Sequence, residues 1–106
     1  MKTISPAKLL ERLNNEELTI LDVRSKDKFD IGKLHHEHAK NVNIFKQDIF
    51  NLHEDSELPL SKDEEIIITC TTGNSATKCA NILEEHGYDV TLLDGGMVKW
   101  QSEVNK

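Results

Sequence analysis

The sequence is poor in the residues that mark several large classes of protein. It has only 2 cysteines and 2 prolines among 106 residues, and aromatic residues make up 5%. Two cysteines are too few for a disulfide scaffold, and the spacing of Cys70 and Cys79 is not that of a metal-binding CxxC pair. No apolar run approaches the roughly 20 residues of a membrane span, and the amino-terminal segment lacks the apolar core of a signal peptide. We therefore expect a reduced, cytoplasmic protein without a membrane segment.

Basic residues are also scarce relative to acidic ones. Lys and Arg number 13 against 19 Asp and Glu, so the formal net charge is −6. Because phosphate neutralisation dominates nucleic-acid binding, an acidic chain without an Arg or Lys cluster is not expected to bind nucleic acid. A chain of this length buries roughly two-thirds of its unfolded surface around one core. We therefore expect a single domain over residues 1–106, and nothing in the pattern requires an oligomer, so we expect a monomer.

Helix and strand patterns alternate along the chain. Apolar residues recur with helical spacing from Pro6 to Leu13, directly after Ser5, a residue type that caps helices. The later patterns predict a strand at 18–23, a short helix at 25–30, a strand at 41–44, a helix at 47–53, a strand at 65–70, a helix capped by Ser75 and stopped by Gly87, a strand at 88–93 and a helix at 97–103. Such alternation requires crossover connections, so the expected fold is a three-layer α/β/α domain with a mostly parallel, about five-stranded central sheet.

One predicted strand ends in a nucleophile. Sites in open α/β sheets lie at the carboxyl ends of strands, and the segment Cys70-Thr71-Thr72-Gly73-Asn74-Ser75 starts at such an end. Its small residues can curl so that successive backbone N–H groups point inward, with Gly73 supplying the unusual φ that this requires. The following helix adds unsatisfied N–H groups and a partial positive charge. A sulfur at the centre would be held as a thiolate or a persulfide; the alternative is a buried structural cysteine.

Four segments, spread in order over most of the chain, are similar to those of a known family. They are Ile20–Arg24, which ends in Asp-Val-Arg; Gly32–Val42; the strand and loop Ile67–Ala76; and Leu93–Trp100, with a Gly-Gly…Trp signature. In this order they resemble the single-domain rhodanese-like sulfurtransferases. The resemblance implies that Cys70 takes a sulfane sulfur from thiosulfate or a persulfide and passes it to cyanide or to a thiol, including a protein thiol. It implies no metal and no organic cofactor.

The resemblance also assigns roles around the nucleophile. Cys70 is the catalytic residue, and the substrate-binding loop consists of Thr71, Thr72, Gly73, Asn74 and Ser75. Asp22 and Arg24 are expected to form a structural ion pair or to brace the loop. Gly95 and Gly96 are expected to let a strand-to-helix turn pack closely beside the Cys70 loop.

The loop departs from the family pattern in its charge. Many members place arginine directly after the cysteine and again near the end of the loop, where this chain has Thr71 and Ser75. Without a cation in the loop, a thiosulfate dianion gains little from electrostatic steering by a chain of charge −6. We therefore expect thiosulfate to be a weak substrate and a persulfide or protein-bound sulfur to be the better donor. In addition, Lys33 replaces the usual histidine after Gly32, ahead of an extended link, His35-His36-Glu37-His38.

Other interpretations of these residues remain open from the sequence. The chain could be a catalytically silent rhodanese-like module that binds or regulates another protein. A phosphatase of related fold is less compatible, because phosphoryl transfer needs an arginine that closes the loop, where this chain has Ser75 and Ala76. The segment 35–38 has the residue types of a transition-metal site, although adjacent histidines in a polar loop ordinarily face water. Cys79 fits a small core residue, with a resolving role against Cys70 as its alternative.

Overall fold

Five strands and five helices alternate along residues 1–104, the part of the chain that the computed structural model describes. The strands are β1 (Lys2–Ile4), β2 (Leu18–Asp22), β3 (Ala39–Asn43), β4 (Glu65–Thr69) and β5 (Asp89–Leu93). The helices are α1 (Pro6–Leu13), α2 (Lys26–Gly32), α3 (Lys46–Phe50), α4 (Asn74–Glu85) and α5 (Gly96–Glu103). Within these residues, no helix is both long and apolar enough to cross a membrane.

The strands form one parallel sheet in the order β1-β5-β4-β2-β3. This confirms the predicted fold class, with one addition, because β1 was not predicted. That strand is an edge strand of 3 residues whose Lys2 pairs with Thr91 of β5. Three residues are too few to show an alternating pattern, so its pairing with β5 is decided by the fold.

The central strand β4 separates two hydrophobic cores. Ile66 and Ile68 face one core with side chains of α3 and α4, whereas Ile67 faces the other with side chains of α1 and α5. All three isoleucines are at most 1% exposed, and each buried side chain of this size stabilises the fold by about 1.5–3 kcal/mol. A strand that is buried on both faces typically consists of an uninterrupted run of apolar residues, as β4 does at Ile66–Ile68.

The first helix has its predicted cap, Ser5, whereas Ser25, predicted as the first residue of the second helix, is the N-cap of that helix. Ser5 and Ser25 accept hydrogen bonds from the backbone N–H groups of Lys8 and Lys28, so both serines act as N-caps. The helix predicted at 47–53 is shorter in the structure and ends at Phe50. Asn51 is its C-cap, and Leu52 beyond it packs against the core on the side of α3 and α4.

Candidate active site

A cavity of about 310 Å³ lies where β2, β3 and β4 end. These three strands are neighbours and parallel, so the segments that follow them meet at one edge of the sheet, which we call the carboxyl edge. The lining residues come from all three segments: Val23, Arg24, Ser25 and Lys28 after β2, Phe45 and Lys46 after β3, and Cys70, Thr71, Thr72, Asn74 and Ser75 after β4. The site is therefore assembled from distant parts of the sequence.

The Cys70 sulfur is surrounded by backbone donors. The residue lines the cavity although it is only 5% exposed. Its Sγ accepts hydrogen bonds from the N–H of Gly73 at 3.0 Å and from the N–H of Ala76 at 3.4 Å. Because N–H donors carry partial positive charge, they stabilise a negatively charged sulfur more than a neutral thiol. Cys70 thus packs in the hydrophobic core on the side of α4 and also accepts two main-chain hydrogen bonds at its sulfur.

The start of α4 differs from the prediction that Ser75 caps it. The N-cap is Gly73, with φ of +110°, and Ser75 lies inside the first turn. An N-cap side chain ordinarily accepts a hydrogen bond from the N–H of the second or third helical residue. Glycine has no such side chain, and here Cys70 Sγ accepts from the third residue, Ala76. The sulfur therefore takes the place of a capping group and lies at the positive end of a 12-residue helix.

The remaining loop residues surround the opening of the cavity. Thr71, Thr72 and Asn74 are exposed and Ser75 is half-buried, and all four line the cavity. Gly73 is buried and contributes its N–H to the sulfur instead. The structure thus brings together all the residues that the sequence placed in the loop.

Helix α5 holds the carbonyl groups of the Cys70 loop. Its residue Met97 donates its N–H to Cys70 O at 2.8 Å, and Val98 donates its N–H to Thr71 O at 3.0 Å. Both carbonyl oxygens thereby point to α5, which leaves N–H groups of the loop to face the sulfur. This contact is a second support of the site that comes from a different strand-to-helix turn.

The approach of α5 to the loop requires glycine at position 96. Gly96 has φ of +62°, and a Cβ there would lie 2.5 Å from Cys70 O and 2.6 Å from Thr71 O. Such distances are far below van der Waals contact, and the atoms concerned belong to the backbone. Gly95, with φ of +77°, is the N-cap of α5. Gly96 thus lies in direct contact with the backbone of the Cys70 loop, and a Cβ on Gly73 of that loop would lie 3.9 Å from Gly95 N.

Asp22 and Arg24 form an ion pair beside the cavity. Asp22 is 2% exposed, and its carboxylate accepts hydrogen bonds from Nε and Nη2 of Arg24, the shortest at 2.7 Å. Arg24 Nη2 also donates to Gly32 O at 3.0 Å. The guanidinium therefore ties the end of β2 to the end of α2, which fixes the segment that forms one wall of the cavity.

Apart from Arg24, no lining residue that follows β2 or β3 was predicted from the sequence to be part of the site. Lys28, Phe45 and Lys46 reach the cavity from α2 and from the start of α3. The Cys70 loop has no cation, but Lys28 and Lys46 bring positive charge to the cavity from other segments. The signal that could have found them is the parallel pairing itself, because the residues after every neighbouring strand meet at the same edge. The expected weakness of thiosulfate stays a prediction.

The histidine segment lies away from this site. It immediately precedes β3, whose start is the opposite end of the strand from the cavity. His36 Nε2 is hydrogen-bonded to Asn14 Oδ1 at 3.0 Å, and His38 Nδ1 to Leu13 O at 2.6 Å. These rings therefore tie the segment to the end of α1. Within residues 1–104, no three ligating side chains are grouped so that they could hold a metal ion.

Cys79 belongs to the core between the sheet and α4. It is fully buried and does not line the cavity. Burial, with a smaller contribution from the nearby Cys70, raises the pKa of the Cys79 thiol to about 12. A thiol with this pKa stays protonated at neutral pH and is a poor nucleophile. The surroundings of Cys79 therefore fit a core residue better than a partner in disulfide chemistry.

Comparison with protein families and curated proteins gives matches along almost the whole chain. The profile of the Rhodanese-like domain matches residues 5–103. The chain is 33% identical over 107 residues to the thiosulfate sulfurtransferase GlpE of Pseudoalteromonas translucida, with 99% of this chain and 93% of the relative covered. It is 31% identical over 105 residues to YtwF of Bacillus subtilis, described as a candidate sulfurtransferase, with 98% and 94% covered.

The same fold is found among solved structures. A rhodanese-related protein from Thermoplasma volcanium superposes with a TM-score of 0.80 at 22% identity, covering 98% of this chain and 94% of the other. At this identity the likeness concerns the arrangement of strands and helices. It agrees with the five-stranded parallel sheet that positions the Cys70 loop.

Proposed function

The chain belongs to the rhodanese-like domain family, and on that premise we propose that it transfers sulfane sulfur through a persulfide on Cys70. Its relatives along the full length include proteins named as sulfurtransferases. The observation that carries the proposal is the pair of backbone N–H groups, from Gly73 and Ala76, on a sulfur that also lines a cavity. This arrangement provides a nucleophile and a space for its substrate at the same place.

In the first step, the Cys70 thiolate attacks the sulfane sulfur of the donor. A new S–S bond forms at Cys70 Sγ, and the S–S bond of the donor breaks. The leaving group takes the electron pair, as sulfite from thiosulfate or as a thiolate from a persulfide. The donor thus gives up one sulfur atom and Cys70 carries it as a persulfide, which makes the reaction one of covalent catalysis in two stages.

In the second step, the acceptor attacks the outer sulfur of the Cys70 persulfide. A thiolate or cyanide forms the new bond, and Cys70 leaves as a thiolate, whose negative charge the N–H groups of Gly73 and Ala76 stabilise. Donor, cysteine and acceptor supply every atom and electron of both steps. The exposed residues Thr71, Thr72 and Asn74 form the wall along which donor and acceptor enter.

The supporting residues keep these donors in place. The hydrogen bonds from Met97 and Val98 of α5 hold the loop carbonyls, and the Asp22–Arg24 pair fixes the part of the cavity wall that follows β2. Neither group has to touch the substrate. We assign them a positioning role, because preorganised dipoles stabilise developing charge without rearranging during the reaction.

The proposal is tested by measuring the intact mass of the protein after incubation with thiosulfate or with an organic persulfide. We expect a mass increase of about 32 Da, one sulfur atom, on the wild-type protein and none on Cys70→Ala. Cys79→Ala is the matched control, because the buried Cys79 lies outside the cavity, and it should gain the same mass. A thiol acceptor should then remove the added sulfur.

A different result would identify a different function. If neither donor adds sulfur to the wild-type protein, the sulfurtransferase proposal fails, and a catalytically silent binding module becomes the better interpretation. If sulfur is added equally to Cys70→Ala, the nucleophile is another group and the assignment of Cys70 is wrong.

A further inference from the structure

Three basic residues line the cavity beside Cys70. Its lining residues include Arg24, Lys28 and Lys46, and among residues 1–104 no carboxylate lines it. Arg24 is neutralised by Asp22, but neither lysine forms an ion pair within the described part of the chain. Several other lysines are paired with carboxylates: Lys2, Lys8, Lys26 and Lys99. Two cations in the cavity are thus left to interact with a ligand.

The local charge has the opposite sign to that of the whole chain. The formal net charge is −6, so a random patch of this surface would repel an anion. A concave site lined by one sign of charge concentrates the potential inside it and attracts ligands of the other sign. Lys46 is half-buried, which reduces the screening of its charge by water. The cavity therefore favours a negatively charged ligand.

The size and lining of the cavity indicate an organic ligand. A volume of about 310 Å³ is that of roughly ten water molecules, more than an inorganic dianion with five heavy atoms needs. Phe45, which is 39% exposed, adds apolar surface to the lining. Pockets for small organic molecules combine apolar walls with a few placed charges in this way.

We propose that Lys28 and Lys46 determine donor specificity by binding an anionic group on a small organic persulfide. The inference rests on the proposed function. The Cys70 thiolate bonds to the outer sulfur of the persulfide, which keeps its proton, and the S–S bond of the donor breaks. The organic part leaves as a thiolate, with its carboxylate or sulfonate beside the two lysines. The lysines act on the body of the donor and not on the sulfur that is transferred.

The experiment compares two donors that differ in one group. Mercaptoethanesulfonate persulfide carries a sulfonate where mercaptoethanol persulfide carries a hydroxyl. The rate of sulfur addition to Cys70 is followed by intact mass for the wild type, Lys28→Gln/Lys46→Gln and the control Lys8→Gln/Lys26→Gln. The control removes the same total charge from exposed lysines that do not line the cavity.

The inference gives a specific pattern of rates. The wild type and the control should react faster with the sulfonate donor, and added salt should reduce this preference. In Lys28→Gln/Lys46→Gln, the cavity variant, the rate of sulfur addition should fall about tenfold with the sulfonate donor, as expected for the loss of two partly screened charge pairs. With the hydroxyl donor the rate should fall less than about twofold.

Other outcomes overturn the inference. If the rate of sulfur addition to the cavity variant falls equally with both donors, the lysines act on Cys70 or on folding. The specificity role is then wrong, while sulfur transfer stands. The specificity role is also wrong if the wild-type protein reacts with both donors at the same rate. If neither donor adds sulfur to any variant, the proposed function fails and the inference fails with it.

Discussion

The two edges of the sheet use charge in opposite ways. At the edge where the strands begin, which we call the amino edge, Glu65 pairs with Arg12 at 2.8 Å and also lies near Lys2, which contacts Asp89. Side chains there neutralise one another. At the carboxyl edge, the N–H groups of Gly73 and Ala76 donate to the Cys70 sulfur, and Lys28 and Lys46 line the cavity without an ion-pair partner among the described residues. Two lysines thus lie where an anionic ligand is proposed to bind, although the formal net charge of the chain is −6.

The largest expected difference between the edges concerns their ion pairs. Asp22→Asn should lower the free energy of unfolding by about 3 kcal/mol, because it leaves the largely buried Arg24 without its counter-charge. Glu65→Gln should lower it by about 1 kcal/mol or less, because Arg12 and Glu65 are partly exposed to water. Chemical denaturation of both variants measures the difference. Sulfur addition to Cys70 should slow only in Asp22→Asn.

Equal losses of stability in these two variants would contradict the comparison. The Asp22 pair would then be solvated to the same degree as the Glu65 pair, and its bracing of the wall beside the cavity would need another explanation.

Two glycines on either side of β5 sharpen the comparison. Gly96 follows the strand and Gly87 precedes it, both with positive φ. Gly87→Ala should lower the free energy of unfolding by about 1 kcal/mol, which is the cost of the backbone conformation alone. A Cβ at this position meets only the flexible side chain of Lys62, at 3.8 Å. Gly96→Ala should cost about 3 kcal/mol or more, because it adds a clash with the backbone of the Cys70 loop.

The rate of sulfur addition separates a local from a general effect of these substitutions. At a temperature where both variants are folded, Gly96→Ala should react more slowly than the wild type, and Gly87→Ala should react at the wild-type rate. A normal rate in Gly96→Ala would show that the contact with α5 does not position the loop.

The smallest expected effect is the pH dependence of the amino edge. Burial acts to raise the pKa of Glu65, but hydrogen bonds from Arg12 and Thr91 outweigh it and hold the pKa below its usual value of 4.5. Because this pKa is lower in the folded protein, ionised Glu65 contributes its full share to the free energy of unfolding above pH 4.5. This contribution is lost as the pH falls through the lower pKa of the folded state. The difference in stability between the wild type and Glu65→Gln, measured by denaturation, should therefore shrink below pH 4.5. A difference that is constant down to pH 3 would refute this.

The fold class and the choice of Cys70 as the candidate nucleophile both follow from patterns in the sequence. Apolar runs with strand or helix spacing report which residues are buried, and the run Ile66–Ile68 showed a strand covered on both faces. Cys70 could be singled out because it ends that strand, ahead of glycine and a helix. These are properties of neighbouring residues, which a local pattern records.

The completion of the site depends on contacts between segments that are distant in the sequence. Ser75 has the residue type of a cap, but the chain starts α4 at Gly73 and lets Cys70 Sγ take the capping hydrogen bond. Lys28 and Lys46 lie far from Cys70 in sequence and meet it only because β2, β3 and β4 are parallel neighbours. Pairing between strands depends on the packing of both faces of the sheet at once. No single segment encodes it, so the charge of the cavity emerges only when the whole sheet is assembled.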